Sequence, residues 1–177
     1  MEVVNNREAA AAFEELAMPL FDQLYNFAHW LAQDRMEAED LVQETYAKAL
    51  RGFSSFQPGT NFRAWMYRIL RNTFLTSRTG LKAATVGLDL EEAAELPART
   101  ESPEALLIEQ SQRETLHAAL QEIPVHYREV LLLCEVEEMS YKEIAETLSI
   151  PIGTVMSQLS RARGALRDSL KKKMMRV

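Results

Sequence analysis

No segment constrains the fold of this chain more than the run from Ser140 to Arg163, which reads as two short helices joined by a tight turn. Ser140 followed by Glu143 is a capping box, in which each side chain satisfies an orphan backbone N–H at a helix start. Ile144, Ala145 and Leu148 give the first helix one apolar face, and Ser149-Ile150 ends it. Pro151 suits the first turn of the next helix, where a missing N–H costs nothing. Val155, Leu159, Ala162 and Leu166 then recur at helical spacing, leaving Thr154, Ser157, Gln158, Arg161 and Arg163 for the opposite face. A short helix packed on a second helix that presents hydroxyl, amide and guanidinium groups is the helix-turn-helix arrangement for a DNA major groove. The same pattern also fits an ordinary helical hairpin with a solvated face.

Apolar periodicity divides the chain into two helical blocks and a connection. Over residues 8–31, Phe13, Leu16, Leu20, Leu24, Phe27 and Leu31 trace one helical stripe. Asp34 caps a second helix, with Glu37 behind it; this helix runs to Arg51 and buries Leu41, Val42, Tyr46 and Leu50. Residues 52–61 form a loop marked by Ser54-Ser55 and Pro58-Gly59. A third helix follows over 62–77, with Trp65, Ile69 and Leu70 as core residues. Residues 81–103 hold two prolines, five acids and no aromatic ring, the composition of a flexible acidic linker. The second block opens near Glu104. Leu107, Leu116, Leu120 and Ile123 predict a helix stopped by Pro124, and 127–136 a further helix. No repeat and no strand-like alternation of useful length is present. The expectation is an all-α chain of two small helical domains, 8–80 and 104–173, joined by the linker 81–103, with the helix-turn-helix in the second.

Composition narrows the function. His29, His117 and His126 are far apart in sequence, and the single cysteine, Cys134, lies in an apolar run, so neither catalysis nor a metal or cofactor site is expected. One cysteine gives no disulfide framework and suits a reducing cytoplasm. The opening residues lack the pattern of a signal peptide, and no apolar stretch approaches the ~18 residues that span a bilayer, so no membrane insertion is expected. A net charge of −6 argues against indiscriminate nucleic-acid binding. Specific binding then requires segregated charge.

The charges are segregated. Residues 45–88 contain no Asp or Glu, yet carry Lys48, Arg51, Arg63, Arg68, Arg71, Arg78 and Lys82. Seven of the chain's fourteen aromatic residues, Phe53, Phe56 and Trp65 among them, fall in the same stretch. Cations interleaved with rings suit single-stranded nucleic acid, where cations meet phosphates and rings stack on unpaired bases. Rings serving only as core are the competing reading. Asp40 and Glu44 lie four apart, on one face of the second helix. That face is either solvated surface or a dock for a basic partner. From Gln158 onward seven cations stand against one acid, Asp168; the lysine run within them also complements a helix C-terminus.

Three stretches occur together in one family. The first is Asp40-Leu41-Val42-Gln43-Glu44-Thr45-Tyr46. The second is Asn61-Phe62-Arg63-Ala64-Trp65-Met66-Tyr67-Arg68-Ile69-Leu70-Arg71-Asn72. The third joins Tyr141-Lys142-Glu143-Ile144-Ala145 to Gly153-Thr154-Val155 and Ser160-Arg161-Ala162-Arg163. In order and spacing, over nearly the whole chain, they resemble the extracytoplasmic-function (ECF) sigma factors, promoter-specificity subunits of bacterial RNA polymerase. The resemblance implies that Asp40, Gln43 and Glu44 dock on a coiled coil of the largest subunit of core RNA polymerase. It implies that the loop 53–61, with Phe53, Phe56 and Asn61, holds a base flipped from the melted −10 strand, gripped by Arg63, Arg68, Arg71 and Asn72, with Arg78 beyond. It implies that Met156, Ser157, Gln158, Ser160 and Arg161 face base edges in the duplex −35 element, while Tyr141, Lys142, Thr154 and Arg163 contact phosphates. An anti-sigma factor is a further partner implied by the family. Met156 and Gln158 stand where the family commonly has basic residues, and Thr76-Ser77-Arg78-Thr79 is less basic than usual.

The competing expectation is a stand-alone helix-turn-helix regulator, which leaves the Asp40–Tyr46 motif and the acid-free segment unaccounted for. A helical adaptor with no nucleic-acid role is the other alternative, and it predicts no effect of charge reversal at Arg161.

Overall fold

The computed structural model describes residues 2–81 and 103–176, and the regular structure among them is helical throughout. Helix α1 (Glu2–Ala17) passes through a 3₁₀ turn (Met18–Leu20) into α2 (Phe21–Ala32). Helix α3 (Arg35–Gly52) is followed by a second 3₁₀ turn (Phe53–Ser55), a loop and α4 (Phe62–Leu81). The second domain holds α5 (Pro103–Glu122), α6 (Val125–Leu131), a π turn (Leu132–Val136), α7 (Tyr141–Leu148) and α8 (Ile152–Met175). The acidic connection expected over 81–103 lies outside the described residues, except that Leu81 ends α4 and Pro103 begins α5.

The stripe over 8–31 is two helices rather than one. Pro19 lies in the 3₁₀ turn between them, where its missing N–H and its ring exclude a continuous α-helical ladder. Leu16 is accordingly 44% exposed. Asp34 caps α3 as expected, its Oδ1 accepting from the Glu37 N–H at 2.9 Å. In front of it Gln33, at φ 60°, closes α2 in the left-handed region.

The core of the first domain is built from Leu24, Phe27 and Leu31 of α2, Leu41 and Val42 of α3, and Met66, Tyr67, Leu70 and Phe74 of α4. Trp65 and Ile69 are only partly buried, and Leu50, expected inside, is 49% exposed. Tyr46 is half-buried because its hydroxyl donates to the Ala17 carbonyl at 2.7 Å, tying α3 to the end of α1. Burial pushes that hydroxyl's pKa up to about 12.

In the second domain the helix expected over 127–136 changes pitch at Leu132. The Glu137 N–H donates to the Leu132 carbonyl and the Met139 N–H to that of Leu133, both at 3.0 Å. This widened turn rotates the chain so that Glu137 is buried. Ser140 then caps α7, accepting from the Glu143 N–H at 3.1 Å. Ser149, left-handed at φ 55°, ends α7, and Pro151 stands at the N-cap of α8 rather than inside its first turn. Val155, Leu159 and Ala162 of α8 are buried, as their spacing predicts. The C-terminal half of α8 lies on α5, where the Ser169 hydroxyl donates to the Ala119 carbonyl at 3.3 Å and Lys173 pairs with Glu122 at 2.6 Å.

The two domains share one apolar core, and Arg128 of α6 sits at their junction. Its buried guanidinium donates to the Leu120 carbonyl at 2.9 Å, to Gln121 and Ile123 at 3.4 Å each, and across the junction to Leu31 at 2.8 Å. These carbonyls end α5 and α2. The cation therefore completes two helix C-termini, whose unsatisfied carbonyls carry partial negative charge. Burial lowers the guanidinium pKa, with Arg78 adding repulsion, yet an arginine remains charged. Replacing Arg128→Met removes donors to four buried or half-buried carbonyls. It should cost about 3 kcal/mol, read as a lowered urea midpoint by circular dichroism.

Candidate nucleic-acid interface

The exposed face of α8 carries the helix-turn-helix residues. Met156, Ser157, Ser160, Arg161 and Arg163 are exposed, Thr154 and Gln158 half-buried, and Tyr141 and Lys142 stand exposed on α7 at the mouth of the turn. Val155, Leu159 and Ala162 hold the opposite face against α6 and α7. This division follows from the helical period alone. Ser157 folds back to donate to the Thr154 carbonyl at 3.1 Å. Arg163, expected on a phosphate, is engaged inside the domain: its Nη2 and Nε lie 2.7 and 3.1 Å from Glu135 Oε1.

On α3, Asp40, Gln43 and Glu44 are all exposed. Buried Ala38, Leu41, Val42 and Thr45 hold the other side of the helix. Glu44 lies 3.9 Å from Lys48 and 3.8 Å from Arg51, loose surface pairs that a partner's cations can replace at little cost.

The residues expected at the −10 strand are divided. Phe53, Phe56, Phe62 and Trp65 pack ring against ring at the loop, with Phe56 5.2 Å from both Phe62 and Trp65. Beside them Lys48, Gly52, Trp65, Asn72 and Thr73 line an open groove between α3 and α4, and Asn72 is exposed. The Asn61 carboxamide caps α4, its Oδ1 accepting from the Ala64 N–H at 3.1 Å. Its Nδ2 donates to Glu143 Oε2 at 3.2 Å. Glu143 therefore gives Oε2 to the first domain, while its Oε1 accepts from the Ser140 hydroxyl at 3.5 Å.

Arg63, Arg68 and Arg71 are half-buried, and their guanidinium groups are engaged by the second domain. Arg71 forms a two-pronged pair with Glu129, Nε to Oε2 at 3.0 Å and Nη2 to Oε1 at 3.2 Å, the carboxylate side chain being 3% exposed. Arg63 donates to the Glu137 carbonyl and lies 3.7 Å from the Glu137 carboxylate. The buried Tyr67 hydroxyl donates to the same carboxylate. Arg68 donates to the Glu146 carbonyl. Arg78 stays within the first domain, 3.3 Å from the Ala32 carbonyl and 3.4 Å from Glu37. Glu129 and Glu137 were missed from sequence, where nothing distinguishes them from solvated acids. The only available signal was the spacing of Arg63, Tyr67 and Arg71, four apart along one face of α4.

Two helical domains, one with an exposed helix-turn-helix and one with an arginine- and aromatic-rich helix beside a loop, define a promoter-binding class of protein. Comparison with known proteins agrees. The Sigma-70 region 2 family matches residues 16–83 and the Sigma-70 region 4 family residues 113–166. An ECF RNA polymerase sigma factor SigE of Mycolicibacterium smegmatis is 33% identical over 97% of this chain, which spans 66% of that protein. The RNA polymerase sigma-H factor of Pseudomonas aeruginosa is 31% identical over 90% of the chain and 86% of its own length. Among solved structures, the sigma factor RpoE of Bartonella quintana, in complex with the anti-sigma factor NepR, superposes with a TM-score of 0.72 at 31% identity, covering 90% of this chain and 97% of that one. CnrH, in complex with the cytosolic domain of CnrY, shares the fold with a TM-score of 0.67 at 23% identity, covering 96% of both chains. The chain belongs to the ECF RNA polymerase sigma factors of the sigma-70 family. This places it among transcription initiation factors rather than stand-alone regulators. No helix among the described residues is long and apolar enough to cross a membrane.

Burial raises the pKa of Glu137, opposed by the Tyr67 hydroxyl and by Arg63, and it raises that of Glu129, opposed by Arg71. A raised native pKa means that the folded chain holds protons which the unfolded chain has released. The contribution of these groups is fully present below the ordinary carboxylate value. It is lost as pH rises through the raised value. Urea midpoints should therefore fall as pH is raised through that window, and Glu137→Gln should flatten the slope.

Proposed function

We propose that this chain docks on core RNA polymerase through Asp40, Gln43 and Glu44 of α3 and reads two promoter elements with its two domains. The single observation that carries the reading is the exposed row on α8: Ser157, Ser160 and Arg161 stand in solvent at the base-reading end of a helix-turn-helix whose opposite row is buried. A helix so presented enters the major groove of the −35 duplex, where hydroxyl and guanidinium groups meet base edges. Tyr141, Lys142 and Thr154 set its position through phosphates, and Arg163 joins them by exchanging Glu135 for the DNA backbone. In the first domain the Phe53–Phe56–Asn61 loop and Asn72 take the melted −10 strand, with Arg63, Arg68 and Arg71 as its phosphate clamps and Arg78 at the far end of α4. Ring stacking and cationic grip are what an unpaired strand requires. An anti-sigma partner, of the kind solved with the related RpoE, is part of the same proposal.

Run-off transcription with core RNA polymerase tests the reading directly. Discrete transcripts that need both the chain and core establish it, and their absence together with failure to co-purify with core refutes it. Asp40→Arg should abolish co-purification while leaving the helical spectrum unchanged. Arg161→Ala should cost about 1–3 kcal/mol of binding to a −35 duplex, measured by fluorescence anisotropy with the polymerase complex. Unchanged discrimination between cognate and scrambled duplexes would remove Arg161 from the base-reading set.

A further inference from the structure

We infer that Glu129 and Glu137 of the second domain occupy the phosphate positions of the −10 strand on Arg71 and Arg63, so that domain closure and single-strand binding exclude one another by competing for the same guanidinium groups. The inference rests on the assignment of the α4 arginines to the −10 strand.

Four observations carry it. Glu129 meets Arg71 through both carboxylate oxygens, the two-pronged geometry that a phosphate also presents to a guanidinium. Glu137 offers Arg63 a backbone carbonyl and a carboxylate together. The carbonyl of Glu146 takes Arg68 and the carboxylate of Glu143 takes Asn61. Each of these acceptors, an anion or a carbonyl dipole, belongs to the second domain, and together they meet Asn61 and one side of α4, a helix that lies wholly within the acid-free stretch.

The seam is also costly to keep closed. Among the described residues, the buried Nε atoms of Arg63 and Arg68 find no acceptor. An unpaired buried donor forfeits its hydration without return. A solvated phosphate strand imposes no such geometry, so it can displace the carboxylates although they are covalently tethered nearby. Closure then acts as a tax on strand binding, lowering the apparent affinity by the fraction of molecules that are open.

The full chain and a fluorescein-labelled dT12 oligonucleotide test this, with anisotropy reading affinity and small-angle X-ray scattering reading the radius of gyration. Saturating dT12 should expand the wild-type chain. Glu129→Gln combined with Glu137→Gln, which removes both anions without adding a cation, should expand it without DNA and tighten dT12 binding about tenfold or more. Oligonucleotide bound with no change of radius, or equal affinities for the two proteins, would overturn the competition. Circular dichroism checks the helices of the double variant. If they are lost, Glu129→Gln alone takes its place, because Glu129 lies at the seam facing Arg71. Run-off transcription by the wild-type chain is scored in parallel. Its failure counts against the sigma-factor assignment of the arginines, whereas successful run-off without competition counts only against the present inference.

Discussion

The structure depends on a cation that, among the described residues, has no carboxylate partner. Arg128 is buried where α5 ends and where α2 of the other domain ends, and its donors are spent on backbone carbonyls. An isolated charge in such a place would be prohibitive. It is tolerated because two helix C-termini converge on it, each contributing partial negative charge and unpaired acceptors. One side chain therefore terminates a helix in each domain and joins the two. The apolar core that runs through both is arranged around this point.

The rest of the seam is made differently. Where Arg128 meets backbone dipoles, Arg71 and Arg63 meet carboxylates, and the carboxylates yield part of the gain to their own dehydration. The junction thus combines one contact that is hard to replace with several that another anion can replace. A net charge of −6 fits this arrangement. Acids of the second domain neutralise part of the basic face of the first.

How much of this was legible in the sequence depended on the range of the interaction. The helix-turn-helix, the Asp34 cap and the buried row Val155, Leu159 and Ala162 were readable, because caps and helical periods are set within a few residues. The break at Pro19 was readable in principle, but the apolar stripe around it continues in phase and outweighed it. The π turn at Leu132–Val136 was not readable: the run Val130 to Cys134 is apolar all round, and such a run shows no pitch. Arg128, Glu129 and Glu137 look like surface residues in sequence. What buries them are partners 97, 58 and 70 residues away, and local spacing carries no record of those. For the same reason Arg63 and Arg71 were recognisable as a cationic face, but the domain they face was not.

Helix α8 does two jobs along one axis. Its first turns project serine and arginine groups into solvent, and its last turns are pinned to α5 through Ser169 and Lys173. At 24 residues it is about 36 Å long, with no proline inside to bend it. A rod of that kind is a lever. A tilt imposed where its tip meets another molecule is resisted near the tip by α6 and α7 and carried along the rod to α5, whose terminal carbonyls are among those Arg128 holds. The tip and the domain junction are thus joined through one stiff element.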